Sequence, residues 1–127
     1  MGPQHEELRL APNMTGQEFL PQPAILPQVD LVITHGGNNT VTESLHFGKP
    51  TVVLPLFWDQ HDNAQRVEEL GLGRRLSTYG HEPAELITAI ETLLADPILP
   101  GRLSGISASL QAEPGTVKAA SLIEALI

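Results

Sequence analysis

The chain has 127 residues, a net charge of −8, 41% hydrophobic residues and no cysteine. This length predicts one domain spanning residues 1–127, the lack of cysteine excludes disulfides and thiolate zinc sites, and the acidic balance argues against general nucleic-acid binding. No apolar run approaches the roughly 18 residues that a membrane span requires and no signal peptide is visible, so we expect a cytoplasmic protein without a membrane span.

The first 28 residues are rich in proline, which removes backbone donors and restricts the preceding residue. We expect at most one short strand here, over Gln17–Leu20. From Val29 to His35 the chain becomes a near-continuous β-branched run, which predicts a strand buried on both faces. A glycine turn follows, then a helix over Asn39–Phe47 that ends at Gly48, a residue suited to a helix C-terminus.

The rest of the chain alternates strands with helices. The predicted elements are strands over Thr51–Leu54 and Arg74–Ser77, and helices over Asp62–Leu70, Glu82–Ala95, Ile98–Gln111 and Thr116–Ile127. This alternation predicts an α/β domain with a parallel sheet and flanking helices. Only three or four strands are visible, a small number for a doubly wound fold, so we expect the domain to be incomplete.

The segment His35–Thr40 joins a predicted strand to a predicted helix through two glycines. Ligands of parallel sheets bind at the carboxyl ends of strands, and a helix start offers unpaired N–H groups and a positive dipole end to a phosphate. His35 can donate a further hydrogen bond, and a purely structural histidine is the alternative. Thr40 and Glu43 also match a capping box, in which neither side chain contacts a ligand.

A second polar loop, Pro55–Gln60, follows the next strand and is expected to face the same crevice. Asp59 and Gln60 offer acceptors and donors that suit sugar hydroxyls. Trp58, the only tryptophan, is expected to pack against a ring or against the core. The alternative is a plain polar loop in which Asp59 or Asp62 caps the next helix.

Other ligand-binding motifs do not fit. Gly71–Leu76 lacks the third glycine of a dinucleotide fingerprint and precedes a strand, and Gly48 and Lys49 are followed by proline, which excludes a P-loop. The five histidines have no metal-ligand spacing. We therefore expect neither a metal nor a bound cofactor.

Four segments, taken together, resemble one family. They are Phe19–Gln22, His35–Glu43, Gly48–Pro50 and Pro55–Ala64. Their order and spacing resemble the donor-binding signature of the UDP-glycosyltransferases, the family-1 glycosyltransferases of GT-B fold. The resemblance implies that the chain is the Rossmann-like carboxy-terminal half of such an enzyme, incomplete at its amino-terminal end.

The resemblance also implies a donor-binding role at each matching position. Phe19 stands where the family commonly stacks a tryptophan on the base, and Gln22 would contact the base or ribose. Glu43 would accept hydrogen bonds from the ribose hydroxyls. Asp59 and Gln60 would form hydrogen bonds with the hydroxyls of the donor sugar. The diphosphate would be held by His35, Gly37, Asn38, Asn39 and Thr40.

The implied reaction is inverting transfer of a hexose from a UDP- or dTDP-sugar to an acceptor hydroxyl, usually without a metal. The diphosphate site would stabilise the charge that builds on the leaving group. The general base is expected on an amino-terminal acceptor-binding domain that this chain does not contain. No catalytic residue is therefore assigned, and we expect the chain alone to be inactive. That domain, a partner chain or a homodimer would cover the open sheet edge.

Two other functions remain compatible with these residues. A nucleotide-sugar epimerase of the same overall fold would bind a UDP-sugar and transfer nothing, although Asp59 and Gln60 favour a transferase. A non-catalytic nucleotide-sugar-binding or interaction domain is the second alternative, because Phe19 replaces the common tryptophan and the domain is expected to be incomplete at its amino-terminal end.

Overall fold

Three parallel strands in the order β1–β2–β3 form the sheet of the computed structural model, which describes residues 7, 9–112 and 115–126. The strands are β1 Val32–Thr34, β2 Thr51–Val53 and β3 Gly73–Arg75. The helices are α1 Gln22–Ile25, α2 Asn38–His46, α3 Asp59–Glu69, α4 Pro83–Ala95, α5 Leu99–Ala112 and α6 Gly115–Glu124, with a 3-10 turn at Leu26–Gln28. The predicted α/β class with a parallel sheet and flanking helices is confirmed.

Strand β2 lies at the centre of the sheet and fits its sequence best. Thr51 is paired with Val32 on one side and with Gly73 on the other. Val52 and Val53 are fully buried, as a strand covered on both faces requires. The buried core around them includes Val41, Ala64, Val67, Leu72, Ala89, Leu93, Leu99 and Leu103, so residues of α2 to α5 cover this strand.

Strand β1 differs from its prediction. The run Val29–His35 predicted burial on both faces, but only three residues form the strand and Ile33 is 50% exposed. On one edge Val32 donates its N–H to the Pro50 carbonyl at 2.9 Å, and Thr34 accepts from the Leu54 N–H at 2.9 Å. The other edge has no strand beside it in the described part of the chain, so β1 has less cover than a β-branched run favours.

The strand predicted over Gln17–Leu20 is wrong, because these residues form no regular element. A strand is stabilised through its ladder to a neighbour, and no described strand pairs with this segment. Pro21 and Pro23 follow at once, and the second of them lies in the first turn of α1, where proline is tolerated.

Both helices that follow the sheet turns begin before their predicted starts. Helix α2 has Gly37 as its N-cap residue with no side-chain cap bond, so the capping-box alternative for Thr40 and Glu43 is wrong. Helix α3 starts at Asp59 instead of Asp62, and no side chain caps it either. The predicted C-terminal glycine of α2 is confirmed, since Gly48 has φ 63°.

The last two helices have different environments. Helix α5 packs against α2: the hydroxyl of Ser107 and the amide of Gln111 both donate to the carbonyl oxygen of His46. Every described residue of α6 is exposed, and the predicted end of this helix at Ile127 lies outside the described residues. Among the described helices, none combines the length and apolarity that crossing a membrane would require.

Candidate functional site

The site begins at a glycine turn directly after β1. Gly36 has φ 89°, a left-handed conformation that favours glycine, and its N–H donates to Oγ1 of Thr34 at 3.2 Å. A Cβ built on Gly36 would lie 2.6 Å from Cγ1 of Val53 and 3.3 Å from the Gln60 carbonyl oxygen. Only glycine therefore lets this turn approach the end of β2 and the first turn of α3 so closely.

The start of α2 presents free backbone donors at the end of β1. The first helical bond runs from the N–H of Val41 to the Gly37 carbonyl at 3.1 Å, so the N–H groups of residues 38–40 have no acceptor within the helix. No side chain caps them, and the imidazole of exposed His35 lies over Gly37, where an added Cβ would be 2.8 Å from Nε2. Such a helix start attracts an anion.

A side-chain network joins α1 to a half-buried face of α2. The Nε2 of Gln22 donates to Oε2 of Glu43 at 2.7 Å and to Oγ1 of Thr40 at 3.3 Å. Gln22 is far from Thr40 and Glu43 in sequence and stands in a different predicted segment, and the fold brings it to them. The network occupies one carboxylate oxygen of Glu43 and leaves the other oxygen available.

An open groove of about 700 Å³ connects this network to the glycine turn. It is lined by Leu20, Gln22, Ile25, Leu26, Val29, Leu31, Val32, Ile33, Thr34, His35 and Thr40. Three of the predicted site residues therefore share one groove with the open side of β1. Phe19 is 81% exposed and does not line it.

The loop after β2 is held by a glutamine in the first turn of α3. Gln60 is 4% exposed, and its Oε1 accepts from the N–H of Leu56 at 2.9 Å and of Phe57 at 3.2 Å. Asp59 beside it is exposed and accepts from Nδ2 of Asn63 at 3.3 Å. The two predicted sugar-reading residues thus differ: one carboxylate reaches solvent, and one amide braces the loop.

Asn63 is a site residue to which the sequence assigned no role. Its Nδ2 also donates to the Gly36 carbonyl at 2.9 Å, which ties α3 to the glycine turn. The signal was available, because Asn63 follows Asp59 by one helical turn and so lies on the same face of α3. Within residues 7, 9–112 and 115–126, no three His, Asp or Glu side chains come close enough together to hold a metal ion.

Known proteins match both this sequence and this fold. A family model described as "Erythromycin biosynthesis protein CIII-like, C-terminal domain" matches residues 3–126. The chain belongs to this family. The EryCIII-like domain is thereby a carboxy-terminal domain of the family-1 glycosyltransferases, which confirms the resemblance read from the four sequence segments.

Curated relatives of the EryCIII-like domain are much longer than it. The oleandomycin glycosyltransferase of Streptomyces antibioticus is 40% identical over 119 residues, which are 91% of this chain and 27% of the relative. The NDP-glycosyltransferase YjiC of Bacillus licheniformis is 36% identical over 115 residues, 91% of this chain and 29% of the relative. The chain thus spans less than a third of the length of either relative.

Solved structures confirm the GT-B class of the fold. The glycotransferase of kitacinnamycin superimposes with a TM-score of 0.88 and 38% identity, covering 98% of this chain and 33% of that one. The glycosyltransferase VinC, solved in complex with dTDP, superimposes with a TM-score of 0.79 and 26% identity over 94% of this chain and 30% of that one. Both likenesses span the sheet and the candidate site.

Proposed function

We propose that this domain binds the nucleotide diphosphate of a UDP- or dTDP-sugar, as the donor half of an inverting hexosyltransferase. The observation that carries the proposal is the bond from Gln22 to Glu43 at 2.7 Å. It joins a residue expected at the base or ribose to the residue expected at the ribose hydroxyls. Beside them lies the uncapped start of α2.

The polar groups of the site match the parts of a nucleoside diphosphate in order. The free oxygen of Glu43 suits a ribose hydroxyl, which donates to carboxylates. The free N–H groups of residues 38–40 and the imidazole of His35 suit the diphosphate. Asp59, exposed at the start of α3, suits the hydroxyls of the attached hexose. VinC, which was solved with dTDP and resembles this domain at 26% identity, supports a nucleotide ligand.

Transfer to an acceptor would need a second domain or chain that supplies the acceptor site and the general base. Two features of the described residues support such a partner. The outer edge of β1 is open, with Ile33 50% exposed, and α6 exposes Val117, Leu122 and Ile123 at 62% each. A short helix with little packing is marginal in water, so a partner surface would stabilise it.

Calorimetric titration with UDP, UDP-glucose and dTDP tests the proposal. The variants are His35→Ala and Glu43→Ala, with Glu91→Ala, an exposed acid on α4, as the matched control. We expect saturable binding to the native chain and to the control, and an affinity about 10-fold or more lower in each site variant, because each loses a hydrogen bond to a charged group.

Two results would contradict the proposal. One is the absence of binding at millimolar ligand in a chain whose circular dichroism and cooperative melting show that it is folded. The other is equal affinity in the native chain and all three variants. A separate assay for transfer of radiolabelled glucose to a phenolic acceptor should give no product with this chain alone, and product formation would refute the need for a partner.

A further inference from the structure

Trp58 has a strained backbone. Its φ of 50° and ψ of −133° make it the only non-glycine residue with positive φ in the described part of the chain. For a bulky residue this conformation is a genuine outlier. Such conformations persist only where their surroundings impose them, and they are concentrated at functional sites.

The surroundings impose this conformation through the loop's hydrogen bonds. The buried Oε1 of Gln60 holds the N–H groups of Leu56 and Phe57 at 2.9 and 3.2 Å. The carbonyls of Phe57 and Trp58 accept from the N–H groups of Gln60 and His61 at 3.3 and 3.2 Å. Trp58 lies inside this closed set of bonds, so the loop cannot relax without breaking one of them.

The strained conformation of Trp58 does not bury its side chain in the core. The Trp58 side chain is 84% exposed, and its nearest aromatic neighbour, Phe57, is itself 51% exposed. The two rings meet edge to face with centroids 5.2 Å apart. The sequence analysis expected Trp58 to pack against a ring or against the core, and the second of these alternatives is therefore wrong. An indole ring normally contributes a large buried area, and this loop leaves it facing water.

The loop that carries Trp58 is held against the proposed donor site. Asn63 bridges Asp59 to the Gly36 carbonyl, and the Gln60 carbonyl lies against Gly36. Trp58 directly precedes Asp59, the carboxylate proposed to bind the hexose hydroxyls. An aromatic ring beside a carboxylate suits a sugar, because a pyranose has an apolar C–H face and a polar rim, and ligand sites combine apolar surface with a few polar groups.

We infer that Trp58 is a specificity-determining residue that stacks on the hexose of the nucleotide sugar, while Asp59 takes its hydroxyls. This inference rests on the proposed function. It makes a separate claim about the sugar, since the nucleotide is assigned to Gln22, Glu43 and the start of α2. The contribution of Trp58 is therefore measured by how much more tightly the domain binds UDP-glucose than UDP.

The full chain provides its own probe, because Trp58 is the only tryptophan. We expect UDP-glucose to change the intrinsic tryptophan fluorescence more than UDP does at equal site occupancy. In calorimetry, Trp58→Gly should lower the ratio of the UDP-glucose to the UDP association constant about 3- to 10-fold, the size of one aromatic contact. Trp58→Phe should restore part of that ratio.

Two controls separate this effect from unfolding and from general loss of aromatic surface. Glycine adopts a positive φ without strain, so Trp58→Gly should melt no lower than the native chain. Tyr79→Ala removes a ring that is 81% exposed on the loop after β3, and should leave the affinity ratio unchanged. If the native chain binds UDP and Trp58→Gly has the same ratio of UDP-glucose to UDP affinity as the native chain, the inference is overturned and the proposed function stands. Absence of UDP binding to the folded native chain overturns the proposed function and the inference together.

Discussion

The loops after β1 and β2 differ in how they use their polar groups. The loop after β1 leaves the N–H groups of residues 38–40 free. The N-cap residue Gly37 makes no side-chain cap bond, and the first helical bond is donated only by Val41, to the Gly37 carbonyl. In the loop after β2 two backbone N–H groups are already bonded, because the buried Gln60 at the start of α3 is 4% exposed and accepts from both of them. Neighbouring loops that follow parallel strands thus have different structural roles.

This difference teaches that a residue in a binding motif can act through the shape of its loop. Gln60 braces the conformation that exposes Trp58 and Asp59, whereas Gln22 and Thr40 line the groove with their side chains. Except at the exposed Trp58 and Asp59, substitutions in the second loop should therefore change folding stability more than nucleotide affinity. Substitutions in the first should do the reverse, except at Gly36, where the loops touch.

Gly36→Ala should have the largest effect, because it disturbs both loops at once. The new Cβ would clash with Val53, and the alanine backbone would have to adopt a positive φ, so we expect the free energy of unfolding to fall by about 2–4 kcal/mol. Urea denaturation measures this loss. Gly105→Ala is the control: its Cβ would meet nothing within 4 Å in α5, and it should stabilise by about 0.5–1 kcal/mol. Equal stabilities of the two variants would contradict the close contact of the loops.

Gln60→Ala should have the next largest effect and act mainly on stability. It removes the acceptor of two N–H groups, and we expect the free energy of unfolding to fall by about 1–2 kcal/mol. Gln65→Ala, an exposed glutamine of α3 that bonds only to Glu69 at 2.7 Å, should cost less than about 0.5 kcal/mol. A Gln60→Ala chain with native stability would refute the bracing role of this side chain.

Gln22→Ala should have the smallest effect and act mainly on binding. Its bond to Glu43 is only partly buried, so stability should change little. The affinity for UDP should fall about 3- to 10-fold, the equivalent of one lost hydrogen bond, as calorimetry would show. Gln28→Ala removes a local bond to the Ala24 carbonyl and should leave the affinity unchanged. If Gln22→Ala and Gln28→Ala both bind UDP as tightly as the native chain, the bond between Gln22 and Glu43 does not contribute to nucleotide binding.

The sequence predicts the elements of this domain well where the pattern is local. β2 is a short β-branched run with burial on both faces, and α4 was predicted to within one residue because its apolar spacing and first-turn proline are both local signals. β1 has the same kind of pattern, yet its exposure depends on what lies beside and above the strand. That information is not contained in Val29–His35.

The same distinction between local sequence signals and contacts set by the fold applies to the site. The glycine turn and the helix after it could be predicted from the sequence, because backbone conformation limits the residues allowed there. The bond between Gln22 and Glu43 joins positions 21 residues apart, and only the fold determines that distance. The start of α3 was placed late because the sequence gives no sign that Trp58 adopts a positive φ, the conformation that lets the helix begin at Asp59.

Amide chemical shifts of the ¹⁵N-labelled chain during a UDP titration test the contrast between the loops most directly. The largest shifts should fall on Asn38, Asn39 and Thr40, whose N–H groups are free to meet the diphosphate. The amides of Leu56 and Phe57, already held by Gln60, should move little. Shifts concentrated at Leu56 and Phe57, with residues 38–40 unmoved, would contradict the assignment of the nucleotide to the start of α2.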